Sequence, residues 1–256
     1  MQLSNVKLIN LLGSTIILFS FSAFADNYDD IISKALNNPA RAANNAARDE
    51  NRKPGEIIKF MDVRPGMTVL DMVSNGGFYA EILANVVGEE GRIIAQTFAT
   101  AGMNPDFAYA KYIRDSEHMD NVVLIYANFA DLDVKENTLD RIFIVQNYHD
   151  FYFDRPGYGV DDVQPVLAMF RKALKPGGMM AIIDHEANPG TPSTSGTSLH
   201  RISSDVVKND MQTAGFKLVG NLDILLNETD DKTKGVFDPV NRGKTSRFVL
   251  KFTNPD

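Results

Sequence analysis

The run from Val69 to Leu83 restricts the fold more than any other stretch of this chain. Val69 to Met72 is an apolar segment that carries one acid, Asp71. Ser74, Asn75, Gly76 and Gly77 form a turn, and from Phe78 to Leu83 apolar residues recur at helical spacing. Strand, tight turn and helix in that order put free backbone N–H groups and a helix N-terminus at the carboxyl end of a buried strand. Such a corner suits an anionic group of a nucleotide-like ligand.

The same alternation continues down the chain. Strands are expected at Met67–Met72, Arg92–Thr97, Val122–Tyr126, Arg141–Gln146 and Met179–Asp184, and a closing pair at Phe216–Leu225 and Ser246–Phe252. Helices are expected at Pro54–Met61, Phe78–Val87, Asp106–Ser116 and Val163–Leu174, and from Ser204, as its cap, to Ala214. Residues 28–49 read as two helical pieces broken by Pro39. Lys175-Pro176-Gly177-Gly178 reads as a sharp turn into the fifth strand. The early strands are apolar without a break, as strands covered on both faces are. This pattern predicts a doubly wound, mostly parallel α/β sheet of seven strands, the last antiparallel because only a polar stretch, Asn227 to Thr245, separates the final two.

Lys7 precedes an apolar run from Leu8 to Phe24 that ends Ala23-Phe24-Ala25 before Asp26, the pattern of a cleaved export signal. The expected organisation is a signal peptide at 1–25, a helical extension at 26–53 and an α/β domain at 54–256, exported with the periplasm as its compartment. No membrane attachment is expected after cleavage. The formal net charge is −7 and no basic run occurs, which argues against nucleic acid as a partner. The absence of cysteine removes disulfides, thiolate metal sites and cysteine nucleophiles. Nothing in the sequence speaks to oligomeric state.

Asp71-Met72-Val73-Ser74-Asn75-Gly76-Gly77 resembles the first motif of class I S-adenosylmethionine-dependent methyltransferases, Asp-x-Gly-x-Gly-x-Gly, with Val73 and Asn75 in the first two glycine places. Within that superfamily the chain is similar to a bacterial group of exported predicted methyltransferases. The pieces that carry this are Asn51-Arg52-Lys53-Pro54, Arg64-Pro65-Gly66-Met67, Asn147 to Tyr152, Leu199-His200-Arg201-Ile202 and Arg247 to Phe252. The resemblance implies S-adenosylmethionine as cofactor and a small-molecule methyl acceptor. It places Ser74, Asn75, Gly76 and Gly77 against the methionine part, with Asp71 ordering that turn or meeting its ammonium group. The family's acid at the end of strand two is replaced by Gln96, which can offer one hydrogen bond to the ribose. Asn128 and Phe129 stand where the family meets the adenine, and Asn147 lies on the same edge.

The fourth strand ends in the cluster Gln146-Asn147-Tyr148-His149-Asp150-Phe151-Tyr152. His149 is suited to take a proton from a hydroxyl or amine, Asp150 to orient it, and Tyr148 and Tyr152 to wall off water. The competing use is to cap the next helix. Strand five ends in Asp184-His185-Glu186, and His200-Arg201 follow a Pro/Ser/Thr/Gly-rich loop, 188–198, able to cover the same edge. Three of the four histidines thus fall at one end of the sheet, all but His118. His185, His200 and Arg201 are candidates for the substrate. Asp184, His185, His149 and His200 are chemically able to hold a divalent ion, but no His-x-x-x-His spacing supports one, and no metal ligand is assigned. Three functions stay open: a methyltransferase, an exported ligand-binding protein of the same fold, and a metal-assisted enzyme at the same crevice.

Overall fold

The computed structural model describes residues 18–99, 108–155 and 158–255. Most of the expected export signal lies outside them. The first described helix, α1 (Leu18–Leu36), runs through Ala25 and Asp26. Among the described residues no helix is long and apolar enough to cross a membrane. After α1 come three short helices, α2 (Ala43–Ala46), α3 (Asp49–Arg52) and α4 (Pro54–Phe60), so the helical stretch around Pro39 is in more pieces than its sequence suggests.

The sheet has seven strands: β1 (Thr68–Met72), β2 (Arg92–Thr97), β3 (Val122–Tyr126), β4 (Leu139–Val145), β5 (Leu174–His185), β6 (Lys217–Asn221) and β7 (Arg247–Thr253). Their order is β3-β2-β1-β4-β5-β7-β6. All pairings are parallel except those of β7, which runs antiparallel to both β5 and β6. Helices α5 (Phe78–Val87), α6 (described from Ala108 to Asp115), α7 (Gln164–Ala173), α8 (Ser195–Leu199) and α9 (Ser204–Thr213) complete the layers. The chain reverses its direction of strand addition between β1 and β4, so the crevice lies at the carboxyl ends of those two strands.

Alternation along the strands feeds two cores, one on each face. Leu70, Met72, Ile142, Ile144 and Ile182 pack beneath α7 and α9 with Leu167, Phe170 and Met211. Val69, Phe143, Ala181 and Ile183 pack beneath α1, α4 and α5 with Ile32, Ile57, Ile58 and Ile82. Each such fully buried Ile or Leu contributes about 1.5–3 kcal/mol. This two-sided burial is why the strands read as continuous apolar runs.

Three boundaries differ from the sequence expectation. Ser203, one residue earlier than expected, caps α9, its side chain accepting the Asp205 N–H at 3.3 Å. The expected turn at Lys175 to Gly178 is instead an excursion within β5: Leu174 already pairs with Leu139, the register shifts, and Gly177 takes φ +72° before Met179 rejoins at Arg141. The strand expected over Phe216–Leu225 contracts to Lys217–Asn221 at the sheet edge, where Leu218 and Val219 stay exposed.

Candidate functional site

The short helices α2 and α3 are set in place by one buried acid. Glu81, on α5, is fully buried and accepts the Ala42 N–H at 3.0 Å and Asn45 Nδ2 at 3.0 Å. Arg41 Nε stands at 3.6 Å and His118 Nε2 at 3.1 Å, and the Tyr112 hydroxyl donates to it as well. This clamp lays Arg48 and Arg52 over the Phe78 ring, with guanidinium carbons 5.1 and 4.7 Å from its centroid. Arg52 also donates to Gln146 Oε1 at 2.8 Å, and burial pushes its pKa down to about 10.

Those arginines form one wall of a cavity of about 330 Å³ at the β1/β4 reversal. The turn after β1 forms its floor. Val73 (φ 48°), Asn75 (φ 42°) and Gly77 (φ 71°) all adopt left-handed backbone, so the turn has positive φ at all three places where the motif has glycine. For Asn75 this is mild, but for a β-branched valine it costs on the order of 1–3 kcal/mol. Val73 is only 4% exposed and belongs to the core, which offsets part of that strain. Asp71 is buried beside the turn, and burial pushes its pKa up to about 7, against weaker opposing pulls from Ser74, the Ala80 amide and Arg52. By distance and angle, Asp71 Oδ2 and Ser74 Oγ make no well-formed hydrogen bond among the described residues.

Gln96 does not reach this cavity. Its side chain is fully buried, accepting the Val73 N–H at 2.8 Å and donating to the Ala127 carbonyl at 2.6 Å. It ties the strained turn to the loop after β3 and, fully buried, does not line the cavity.

The opposite wall is imidazole and carboxylate. A 3₁₀ turn at His149–Tyr152 follows β4 and presents His149, which is 3% exposed. His149 Nδ1 sits 2.9 and 3.0 Å from the two oxygens of Asp184 at the end of β5, and its own N–H donates to Asp184 Oδ2 at 2.9 Å. His149 Nε2 faces His200 Nδ1 at 3.2 Å and Asp150 Oδ1 at 3.3 Å. Burial opposes a charge on His149, yet the Asp184 carboxylate outweighs it and raises the His149 pKa. Burial raises Asp150 as well, and lowers His200. His185, its Nδ1 2.7 Å from Thr245 Oγ1, is pushed down to about 3 by burial and stays neutral. The loop 188–198 does lie against this edge: through α8, Gly196 sits so close to the His149 carbonyl that a Cβ would stand 2.5 Å from its oxygen.

Of the expected residues, Asp71, Ser74, Asn75, Gly76, Asn147, His149, Asp150, His185 and His200 line this one cavity. The others are put to different uses. Gly77 caps α5. Asn128 Nδ2 donates to Asp131 at 3.4 Å, and Phe129 stacks edge-on against Phe98 and Phe151 in the core. Tyr148 and Tyr152 both donate to Asp210 Oδ2, at 3.0 and 2.6 Å. Arg201 is fully buried in a two-pronged pair with Asp230 at 2.9 and 3.0 Å and also donates to the carbonyls of Lys234 and Glu186. It is saturated and pins the segment around Asp230 to the sheet edge. Nothing in the pattern along the chain pointed to Arg48, Phe78, Val236 or Phe237, although all four line the cavity, and Gln146, at the head of the strand-four cluster, lines it too.

The match to a family model described as the ubiE/COQ5 methyltransferase family covers residues 48–194. Among curated proteins, the chain is 27% identical over 132 residues to a demethylmenaquinone methyltransferase of Bacillus mycoides (strain KBAB4), covering 50% of this chain and 49% of that protein. It is 26% identical over 132 residues to one of Bacillus cereus (strain AH187), with the same coverage. The chain thus spans about half the length of the curated relatives it matches. Among solved structures, a SAM dependent methyltransferase from Aquifex aeolicus superposes with a TM-score of 0.58 at 21% identity, covering 88% of this chain and 97% of that one. The cyclase SpnF superposes with a TM-score of 0.57 at 15% identity, covering 91% and 95%, so the fold also serves other chemistry. The sheet order, the glycine-type turn and the family match together show that this chain belongs to the ubiE/COQ5 methyltransferase family.

Proposed function

We propose that the chain binds S-adenosylmethionine in the β1/β4 crevice and transfers its methyl group to an oxygen or nitrogen of a small-molecule acceptor. The observation that carries this is the His149–Asp184 pair opening onto the same cavity as the Asp71–Gly76 turn. The residues fit the charged end of the cofactor: Asp71 Oδ2 and Ser74 Oγ are buried without hydrogen-bond partners among the described residues, and Arg48 and Arg52 line the same cavity. Asp71 and Ser74 would hold the ammonium group, and Arg48 and Arg52 the carboxylate. With Gln96 engaged, the ribose hydroxyls get no acid from β2. When bound, the cofactor supplies an electrophilic methyl group on sulfur.

The protein's part is positional and basic. Asp184 holds the His149 Nδ1–H, which leaves the Nε2 lone pair on the crevice side to take the acceptor's proton as the new bond to carbon forms. The imidazolium so formed is stabilised by Asp184, consistent with the raised His149 pKa. Val236 and Phe237 close the cavity's rim with apolar surface, which favours close approach of the two reactants.

Calorimetric titration with S-adenosylhomocysteine tests the reading. One site per chain is expected, weakened about tenfold or more in Arg52→Ala, the loss of one charge-assisted contact. No heat with either S-adenosylmethionine or S-adenosylhomocysteine at high micromolar concentration would sink it. The second reading, a non-catalytic ligand-binding protein, draws on the closed Gln96 bridge and would be favoured by a different molecule found in the crevice by mass spectrometry of the purified chain.

A further inference from the structure

We propose that His149, Asp150 and His200 form a binding site for a divalent transition-metal ion of the zinc class, at the end of the crevice opposite the Asp71 turn. His149 Nε2 lies 3.2 Å from His200 Nδ1 and 3.3 Å from Asp150 Oδ1, and one ligand atom from each residue falls within 4.8 Å of the other two. Around an ion with bonds of about 2.0–2.2 Å, neighbouring ligand atoms stand about 3–3.5 Å apart. Both separations from His149 Nε2 therefore have the spacing of a chelate before any ion arrives, and the third is within 4.8 Å.

The surroundings are those of a supported site. Asp184 takes the His149 Nδ1–H, which fixes the tautomer and turns the Nε2 lone pair toward the other two ligands. Asp184 is itself fixed, fully buried and accepting the backbone N–H groups of His149 at 2.9 Å and His185 at 2.7 Å. Asp150 keeps one oxygen for the trio while the other accepts Asn147 Nδ2 at 2.8 Å. His200 is held by its backbone N–H on the Gly196 carbonyl at 3.1 Å and by ring contacts with Phe153 and Phe237.

Protons alone serve this arrangement poorly. A proton on His149 Nε2 is donated to His200 or to Asp150 and leaves the other acceptor without a donor, whereas a cation answers all three. Two imidazoles and one carboxylate suit zinc, iron or manganese and are a poor set for calcium or magnesium, which prefer oxygen alone. Three protein ligands also leave coordination positions open on the cavity side, the pattern of a working rather than a purely structural site. The expectation of no metal ligands relied on spacing along the chain, whereas these three residues come from two separate loops. An ion and a proton compete for the same Nε2 lone pair, and the ion needs no S-adenosylmethionine. While an ion holds Nε2 that lone pair is closed to an acceptor's proton, and because zinc and S-adenosylhomocysteine are titrated independently, failure of one proposal is distinguishable from failure of the other.

The test is calorimetric titration of the purified, tag-free chain with Zn²⁺, paired with the visible spectrum after adding Co²⁺. One Zn²⁺ per chain is expected, not displaced by excess Mg²⁺ or Ca²⁺, together with a ligand-field band from Co²⁺. His200→Ala and Asp150→Ala should each weaken Zn²⁺ binding at least about tenfold, and Asp184→Asn should do so by about 10–100-fold through His149. Glu136→Gln, at an exposed carboxylate that does not line the crevice, should leave the affinity unchanged. Sub-stoichiometric zinc, an absent cobalt band, or unchanged affinity in His200→Ala with its circular dichroism intact would overturn the proposal.

Discussion

Replacing Asp71 by asparagine should stabilise the protein at pH 8, lower its stability by about 1 kcal/mol at pH 4, and abolish the binding of S-adenosylhomocysteine. The Asp71 carboxyl is buried, and its pKa is pushed from the ordinary 3.8 up to about 7. In the unfolded chain the same group returns to the ordinary value. Below pH 4 both states hold the proton and nothing is lost. Between pH 4 and 7 the unfolded state ionises first, so wild-type stability falls by about 1.4 kcal/mol for each pH unit. Above pH 7 both states are charged and the loss levels off, at roughly 4 kcal/mol in all. The asparagine variant has no such slope. Fitting an amide into the same space costs about 1 kcal/mol, but that offset does not depend on pH. Urea unfolding of both proteins from pH 4 to pH 8 isolates Asp71, because every other titrating group is shared. Parallel stability curves would refute the reasoning, and so would undiminished S-adenosylhomocysteine binding by the variant at pH 8.

Gln96→Glu restores the family's acid at the end of β2, yet it should lower stability and leave cofactor affinity no better. The new carboxylate would face the Ala127 carbonyl across the present 2.6 Å contact, fully buried, at a cost of about 2–4 kcal/mol. Thermal unfolding should show a larger loss at pH 8 than at pH 5, where a protonated glutamate can still donate. A variant that gains affinity without losing stability would show that this side chain is free to turn toward the ligand. Arg201→Met should cost about 3–5 kcal/mol in urea unfolding by leaving Asp230 buried and unpaired, with most of it recovered in Arg201→Met/Asp230→Leu. A loss below about 1 kcal/mol would contradict the buried pair as the anchor of that segment.

How far the sequence could be read depends on what each residue's neighbours along the chain determine. Continuous apolar runs capped by turns identified the inner strands β1, β4 and β5, because burial on both faces leaves no other pattern, whereas the edge strand β6, exposed at Leu218 and Val219, was read too long. Position along a strand also identified which end of the sheet Asp71, Asn147, His149 and His185 occupy. It did not say which way a side chain turns once the strand ends: Tyr148 and His149 are adjacent, yet one donates to Asp210 and the other faces the crevice. Arg48 and Arg52 were illegible for a further reason, since their place depends on how Glu81 holds α2 and α3 across the sheet. The two departures from the motif are the most instructive case. Valine in place of glycine and glutamine in place of the ribose acid look like two separate losses in the sequence. In the structure they are a single adjustment: Gln96 accepts the Val73 N–H while its backbone carbonyl accepts the Ser74 N–H, holding open a turn that valine alone resists. The left-handed path is thus kept by a buried amide rather than by glycine's freedom, so on the proposed function the change would remove an acid from the ribose end and leave the cradle for the cofactor's charged end in place.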